Sequence, residues 1–296
     1  MPHDKGKRAS GLLRLTLSLV IFGTVGLVRR FVAFPSGFTA FVRGAIGALI
    51  ILAIMLILKR KPSLRAIKKN APILLLSGGF LGINWILLFE AYRYTTVASA
   101  CLVYYMAPIL VIIASPLLLK SRVASVKWIA VAAAFLGMVL VSEPWKEGFL
   151  TSEGAVGILL ALGAAFFYAG VTVLNKRLDG IEALDRTAVQ LAAAAAVVLP
   201  YTLIAEEVTA DMLDARSILL TLALALVHTG VAYFLFFSSI ELLPAPTVAV
   251  LSYLDPILAV ILSALILGEP MSPPAIIGAA LILSAALFSE LIPEKK

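Results

Sequence analysis

The sequence predicts an all-α integral membrane protein with ten transmembrane helices, built as two inverted five-helix repeats around a central cavity. Three observations lead to this fold class. The 296 residues are 61% hydrophobic and 14% charged, with a mean hydropathy of +1.05, whereas an ordinary soluble domain is about 45–50% apolar and about 25% charged. Apolar runs of membrane-crossing length follow one another along the chain, and an internal repeat relates its two halves. This composition excludes a soluble enzyme, a disordered chain and a nucleic-acid-binding module.

Ten apolar runs, each bounded by charged residues or by Gly and Pro, are predicted to be the spans. A helix needs about 20 apolar residues to cross a bilayer, and ten such helices leave no room for a separate soluble domain. Strand-like alternation is absent from the runs, which favours helices over a barrel. Spans 1 to 5 are predicted at Leu12–Val28, Phe38–Leu58, Ile73–Ala91, Val97–Leu119 and Val126–Val141. Spans 6 to 10 are predicted at Gly157–Leu174, Thr187–Ile204, Ile218–Phe237, Thr247–Leu267 and Ala275–Ile292.

The distribution of positive charge predicts the orientation. Arg14 interrupts the first apolar run early, and no small-residue cleavage site follows Val28, so this run is interpreted as an uncleaved first span. If the N-terminus is cytoplasmic, 18 of the 24 Lys and Arg residues fall on the inner side. Because cytoplasmic connections carry the excess of Lys and Arg, we expect a multi-pass protein of the cell inner membrane with both termini cytoplasmic. The six outer residues are Arg29, Arg30, Arg43, Arg93, Lys146 and Arg216.

An internal repeat points to transport. A shift of 148 residues aligns Gly82–Leu119 with Gly230–Leu267 without a gap, and 11 of the 38 positions are identical. The matches include Tyr-x-x-Pro-Ile-Leu at Tyr105 and again at Tyr253. The repeats are predicted at residues 1–146 (spans 1–5) and 147–296 (spans 6–10), within one transmembrane domain. Five spans is an odd number, so the second copy enters the membrane from the opposite side. Inverted repeats are common in secondary transporters, whose substrate site lies near the bilayer midplane.

The repeated motifs resemble those of a known family. Phe89-Glu-Ala-Tyr-Arg-Tyr-Thr-Thr-Val-Ala-Ser, and the segment from Leu251 to the Leu-Gly-Glu that ends at Glu269, are similar to EamA-type members of the drug/metabolite transporter superfamily. The resemblance implies ten helices in two inverted halves and export of amino acids and related metabolites or drugs. The overall similarity is to bacterial inner-membrane exporters of aromatic amino acids and paraquat. One departure is chemical, because Ala107 precedes the proline in the first repeat where Asp255 precedes it in the second.

Asp255 is the leading candidate for function, since an ionisable group near mid-span is costly and is a functional hypothesis by default. It is expected either to attract a substrate ammonium or carry a coupled proton, or to cap backbone N–H groups freed by Pro256. Pro108 and Pro256 each predict a kink, which acts either as a hinge or as static packing. The other candidates for the substrate cavity are polar and aromatic residues placed at midplane depth, each with core packing as its alternative. They are Asn84, Trp85, Tyr104, Tyr105, Tyr168, His228, Tyr233, Ser252 and Tyr253.

Other features are interpreted as structural. The single cysteine, Cys101, is expected to fill core space, Arg43 to snorkel from the outer end of span 2, and Glu206 to lie in a solvated outer loop. Glycines such as Gly78 and Gly82 are expected to permit close helix contact. We find no Walker motif and no arrangement of catalytic or metal-binding residues, so no enzyme activity, cofactor or metal is expected.

The combined prediction is a secondary transporter that exports amino acids or related small metabolites by alternating access. Its expected partners are a small-molecule substrate, the lipid bilayer and possible coupling protons, with no nucleic acid. The alternatives are a carrier of nucleobases or sugars, a membrane enzyme acting on lipids, and a scaffold or sensor that transports nothing. The lipid enzyme is disfavoured because it requires an interfacial cluster of His, Asp or Glu.

Overall fold

The structure, a computed structural model, describes residues 2–118, 125–143, 145, 153–240, 242–243, 251–252, 254–269 and 271–291. Regular secondary structure in these residues is entirely helical. Seven helices are long and apolar enough to cross a membrane, and three shorter apolar helices cover Trp128–Val141, Leu254–Ile266 and Pro273–Phe288. Each of the ten predicted spans overlaps one of them, which confirms the helical membrane class.

The helices extend beyond the apolar runs at several ends. In spans 1 to 5 they are Pro2–Gly23 with Val25–Arg30, Ser36–Ile57, Leu64–Tyr94, Val97–Tyr104 with Ala107–Leu118, and Ser125–Ser142. In spans 6 to 10 they are Glu153–Asn175, Ala183–Ala205, Ala215–Ala225 continued through Leu226–Val231 to Ala232–Ile240, Leu254–Ile266, and Pro273–Leu291. The helices of spans 1 and 3 begin well before their predicted starts at Leu12 and Ile73, because both continue through the basic residues that precede those starts.

Three oxygen acceptors fix helix starts. Thr96 accepts the backbone N–H of Ser99 at the start of span 4, and Asp214 accepts that of Ser217 at the start of span 8, as expected of N-cap residues. Glu206 accepts the N–H groups of Gly37 and Phe38, both at 2.7 Å. The expectation of a purely solvated loop is therefore wrong for Glu206, because this half-buried carboxylate caps span 2.

Small residues let the spans approach closely, as predicted. A methyl group added to Gly78 would lie 2.7 Å from the carbonyl oxygen of Gln190, and one added to Gly82 would lie 2.9 Å from that of Ala194. Both contacts join span 3 to span 7. Since helix association in lipid depends on van der Waals packing, these glycines set the distance between the two helices.

Four spans depart from a continuous α-helix. Span 1 is interrupted at Thr24 and span 4 at Tyr105 and Met106, span 9 has a turn at Ser252, and span 8 passes through a π-helical segment at Leu226–Val231. Such irregular backbone is tolerated at membrane depth where it is buried in protein or borders a cavity. Span 1 packs against spans 8 and 9, and span 4 packs against span 9, so the four irregular spans neighbour one another.

Candidate functional site

Spans 1, 4, 8 and 9 surround a cavity of about 780 Å³ together with spans 2, 3 and 6. Seven of the ten predicted cavity residues line it: Trp85, Tyr104, Tyr105, Tyr168, Tyr233, Ser252 and Asp255. Pro108 lines it as well. Most of the other residues that line the cavity are apolar. A few polar groups in a largely hydrophobic lining are the usual composition of a small-molecule site.

Asp255 lies in the first turn of Leu254–Ile266 and borders the cavity. Its Oδ2 accepts the hydroxyl of Tyr105 at 3.0 Å, so a side chain of span 4 bonds a carboxylate of span 9. An acidic side chain in a first helical turn also interacts favourably with the positive end of the helix dipole. Among the residues that the structure describes, the carboxylate accepts no backbone N–H, and this geometry favours a group facing the cavity over a cap.

Spans 1 and 4 both contact this part of span 9. A methyl group added to Gly23 of span 1 would lie 2.9 Å from the carbonyl oxygen of Asp255. The hydroxyl oxygen of Tyr105, which donates its hydrogen to Asp255, also lies 3.5 Å from the carbonyl oxygen of Ser252. The start of the helix is therefore packed between spans 1 and 4, which fixes the position of the carboxylate.

The two prolines occupy similar positions in their helices. Pro108 is the second residue of Ala107–Leu118, and Pro256 is the third residue of Leu254–Ile266. An N–H has no intrahelical acceptor at either position, so neither proline removes a bond of its own helix. Span 4 is interrupted at Tyr105 and Met106, just before Pro108, and span 9 has a turn at Ser252, before Pro256. Pro256 is buried and outside the cavity lining.

Aromatic rings form two walls of the cavity. The ring of Tyr104 lies 5.5 Å from that of Tyr168 and 6.3 Å from that of Tyr105, measured between centroids. A second pair comes from spans 1 and 8, where the rings of Phe22 and Tyr233 are 5.4 Å apart. Ring faces and phenol hydroxyls at these positions suit a ligand that carries an apolar or aromatic portion.

Two predicted residues lie outside the lining. Asn84 is fully buried and donates its amide to the carbonyl oxygen of Ala164 at 2.7 Å, joining span 3 to span 6. His228 lies in the π-helical segment, 2.9 Å from the hydroxyl of Thr24 and 3.1 Å from the carbonyl oxygen of Ala223. Since both ring nitrogens have partners, the geometry gives His228 a structural place between spans 8 and 1. Tyr253 lies outside the described residues.

Arg43 is the main residue that the sequence prediction misplaced. It lines the cavity and is only 5% exposed, so it does not snorkel to the membrane surface. Its guanidinium carbon lies 4.4 Å from the ring centroid of Trp85, and its Nε donates to Thr229 Oγ1 at 2.8 Å. The position of Arg43 in the helix could have indicated this burial. It is the eighth residue of the Ser36–Ile57 helix, about 10 Å along the axis from the start.

A polar cluster at the end of span 9 joins three spans. Glu269 forms an ion pair with Arg30 at 3.3 Å, and its Oε2 accepts the hydroxyl of Ser263 at 2.6 Å and the backbone N–H of Val97 at 3.0 Å. Arg30 also donates to the carbonyl oxygen of Tyr92. The carboxylate at the end of the Leu-Gly-Glu motif therefore ties the ends of spans 1 and 9 to the start of span 4.

No three His, Cys, Asp or Glu side chains come together as metal ligands in the described part of the chain. Cys101 is buried, with its Sγ 3.4 Å from the hydroxyl of Tyr92. The polar groups of the cavity can bind a small solute through one carboxylate, one guanidinium and several phenol hydroxyls.

Sequence comparison finds relatives along the whole chain. An uncharacterized transporter of Bacillus subtilis, YxxF, is 27% identical over 262 residues, which cover 88% of this chain and 83% of the relative. An uncharacterized transporter of Archaeoglobus fulgidus is 28% identical over 94% of this chain and 96% of its own. A riboflavin transporter of Vibrio cholerae is 28% identical, over 53% of this chain and 51% of its own.

Structural and family comparisons agree with the fold. One solved crystal structure, 22% identical in sequence, superposes with a TM-score of 0.66 over 95% of this chain and 97% of its own. The profile of the EamA-like transporter family matches twice, at residues 9–143 and 155–291. Both matches lie on the helical spans described above, and together they cover most of the chain, so this protein belongs to the EamA-like transporter family.

Proposed function

We propose that this protein is a secondary transporter that exports amino acids or related small metabolites across the cell inner membrane by alternating access. The observation that carries the proposal is the cavity of about 780 Å³, in which Asp255 faces an aromatic wall. Burying a carboxylate at this depth costs free energy, so an ionisable residue here is a functional hypothesis by default. Its proposed role is to attract the ammonium group of a substrate or to carry a coupled proton.

Alternating access requires two bodies that rock against each other, and we assign these to residues 1–146 and 147–296 as inverted repeats. The helix packing supports this division. In the proposed repeat, span 1 corresponds to span 6, span 2 to span 7, and so on to spans 5 and 10. The span pairs 2–7, 4–9 and 5–10 then correspond to themselves, and the pair 3–6 corresponds to the pair 8–1. The two spans of each of these pairs are in contact.

Two side-chain contacts support the same assignment. Near the start of span 3, the Oδ1 atom of Asn70 accepts the backbone N–H of Asp179, which lies in the connection between spans 6 and 7. Near the start of span 8, the Oγ atom of Ser217 accepts the backbone N–H of Ala33, in the connection between spans 1 and 2. Exchange of the proposed repeats converts one contact into the other. The charge distribution supports cytoplasmic termini, which place these two contacts on opposite sides of the membrane.

Transport by the purified protein in proteoliposomes tests the proposal. The panel contains phenylalanine, tryptophan and leucine as amino acids, with uracil, glucose and riboflavin as representatives of other classes. We expect saturable exchange of at least one amino acid. Exchange of uracil, glucose or riboflavin with no exchange of any amino acid would overturn the proposed substrate class.

Asp255→Asn is the informative variant, because asparagine keeps the shape and most of the capping ability of aspartate. If the charge serves transport, the variant should lose at least about tenfold in rate, roughly 1.4 kcal/mol, and the pH dependence should flatten if a proton is coupled. Asp214→Asn is the matched control, since that aspartate is exposed and caps span 8 away from the cavity. Wild-type rates and wild-type pH dependence in Asp255→Asn would refute a charge role.

A further inference from the structure

Arg43 is a buried cation in a part of the membrane domain where an arginine is expensive. It is 5% exposed and lies in span 2 against aromatic side chains, with its guanidinium carbon 4.4 Å from the centroid of Trp85 and 5.7 Å from that of Phe89. Cation–π contact offsets part of the cost of burying the charge. It does not supply hydrogen-bond acceptors for the five N–H groups of a guanidinium.

The π-helical segment of span 8 holds this side chain in place. Thr229 accepts the Nε–H of Arg43 at 2.8 Å and donates its own hydroxyl to the carbonyl oxygen of Leu224, five residues earlier. In a regular α-helix the hydrogen bonds join residues four apart. A bond to the residue five positions earlier therefore belongs to the widened π-helical turn. Single-turn π segments are frequent at functional sites. Here the widened turn orients the edge of the guanidinium that carries Nε, and leaves the two terminal nitrogens to other partners.

No protein anion neutralises Arg43 within the described residues. The ion pairs found there join Arg30 to Glu269, Arg60 to Glu182, Lys69 to Asp179 and Arg93 to Glu90. The Nε bond to Thr229 is the hydrogen bond that the guanidinium makes to this part of the chain. Its side chain borders the cavity, and arginine pairs with a carboxylate through two parallel N–H bonds.

Arg43 and Asp255 are the two charged side chains among the described residues that line the cavity. They are not ion-paired with each other by a contact of 4.0 Å or less. The lining therefore offers one cation and one anion, neither of them ion-paired with another described residue, beside aromatic walls. A zwitterion with an apolar or aromatic side chain matches all three features.

We propose that Arg43 binds the carboxylate of the transported solute and thereby makes the site selective for zwitterionic amino acids over amines. This inference rests on the proposed function, in which Asp255 takes the ammonium group. It adds a specificity residue and narrows the substrate class. An amine lacking a carboxylate leaves the buried guanidinium unpaired, and a site built to hydrogen-bond a group rejects the analogue without it.

Three ligands that share one phenyl ring test the proposal. Phenylalanine carries both charged groups, phenethylamine lacks the carboxylate, and 3-phenylpropionate lacks the ammonium. Each competes with labelled phenylalanine in proteoliposomes containing the wild-type protein, Arg43→Gln or Arg43→Lys. Arg216→Gln is the matched control, because that arginine also lies over an aromatic ring, Phe31 at 4.6 Å, but is exposed and outside the cavity lining.

The wild-type protein and Arg216→Gln should prefer phenylalanine to phenethylamine by at least about tenfold. Arg43→Gln should lose most of this preference while it retains the preference for phenylalanine over 3-phenylpropionate, and Arg43→Lys should fall between them. Equal competition by phenethylamine and phenylalanine in the wild-type protein would overturn the role of Arg43 even if no variant folds. An unchanged ligand ratio in Arg43→Gln would overturn it too. Failure of the wild-type protein to exchange any amino acid would instead count against the proposed function.

Discussion

The seam between spans 5 and 10 is held by two glycines that face each other. A methyl group added to Gly137 would lie 2.7 Å from the carbonyl oxygen of Gly278, and one added to Gly278 would lie 2.5 Å from that of Gly137. Because the clashing atoms belong to the backbone, a Gly137→Ala substitution must push the two helices apart. A gap of about 0.5–1 Å forfeits a quarter to a half of each van der Waals attraction along the seam.

The expected cost of this substitution is about 1–3 kcal/mol, the usual range for overpacking a close contact. Replacing glycine with alanine inside a helix also stabilises by about 0.5–1 kcal/mol through the backbone, and a second Gly→Ala variant controls for that gain. Gly163→Ala is suitable, because its added methyl would meet only the flexible end of Leu87, at 3.3 Å. The free-energy difference between the two variants therefore isolates the packing of spans 5 and 10.

Thermal unfolding of the detergent-purified protein provides the measurement. Gly137→Ala should unfold several degrees below Gly163→Ala, and Gly163→Ala should match or exceed the wild-type Tm. The double variant Gly137→Ala with Gly278→Ala should lose less than the sum of the single losses, because one displacement of the helices relieves both contacts. Equal Tm values for Gly137→Ala and Gly163→Ala would refute this account of the seam.

Three further predictions follow from the polar contacts and the charge distribution. Glu269→Gln should weaken the junction of spans 1, 4 and 9 and raise the accessibility of a cysteine introduced at Val97 to a membrane-impermeant thiol reagent; unchanged labelling would contradict this role. The Lys69 ammonium holds the pKa of the Asp179 carboxyl below its ordinary value. The contribution of this ion pair to stability is therefore present at neutral pH and is lost as the pH falls through the lowered pKa. Asp179→Asn should lower the Tm at pH 7 and leave it unchanged at a pH below that pKa. A reporter active only outside the cytoplasm should be silent at both termini and active after Lys146, and activity at Lys296 would refute the ten-span orientation.

Hydropathy predicts where a helix lies but does not determine which of its faces meets the cavity. Asn84 and Trp85 are adjacent in span 3 and were both expected to line the cavity. One residue turns an α-helix by about 100°, and the structure points Asn84 at the carbonyl of Ala164 and Trp85 at the cavity. The aromatic residues of the cavity are predicted from their depth in the membrane alone. The position of a residue within an apolar run indicates that depth.

The π-helical segment explains a second kind of error. No composition signal marks Leu226–Val231, because a widened turn arises from packing against neighbouring spans. The segment places His228 beside Thr24 of span 1 and Thr229 beside Arg43 of span 2. The position of His228 in the sequence indicates its depth in span 8 and carries no information about this widened turn. Arg43 was misplaced for a related reason, since a charge near the end of an apolar run is compatible both with snorkelling and with a buried partner.

The two cavity charges are divided between the proposed repeats, and this division links the site to the transport motion. Arg43 belongs to span 2, and Asp255 belongs to span 9. The 148-residue shift that aligns Gly82–Leu119 with Gly230–Leu267 pairs Asp255 with Ala107, so this charge has an apolar counterpart in the other half. A zwitterion held by both side chains therefore bridges the two halves, and its binding energy depends on their separation. In the alternating-access mechanism proposed above, rocking of one half against the other would change that separation, because the two charges belong to different halves. A solute that lacks either charge does not make this ionic bridge, so it lacks the part of the binding energy that the bridge would supply to one arrangement of the halves.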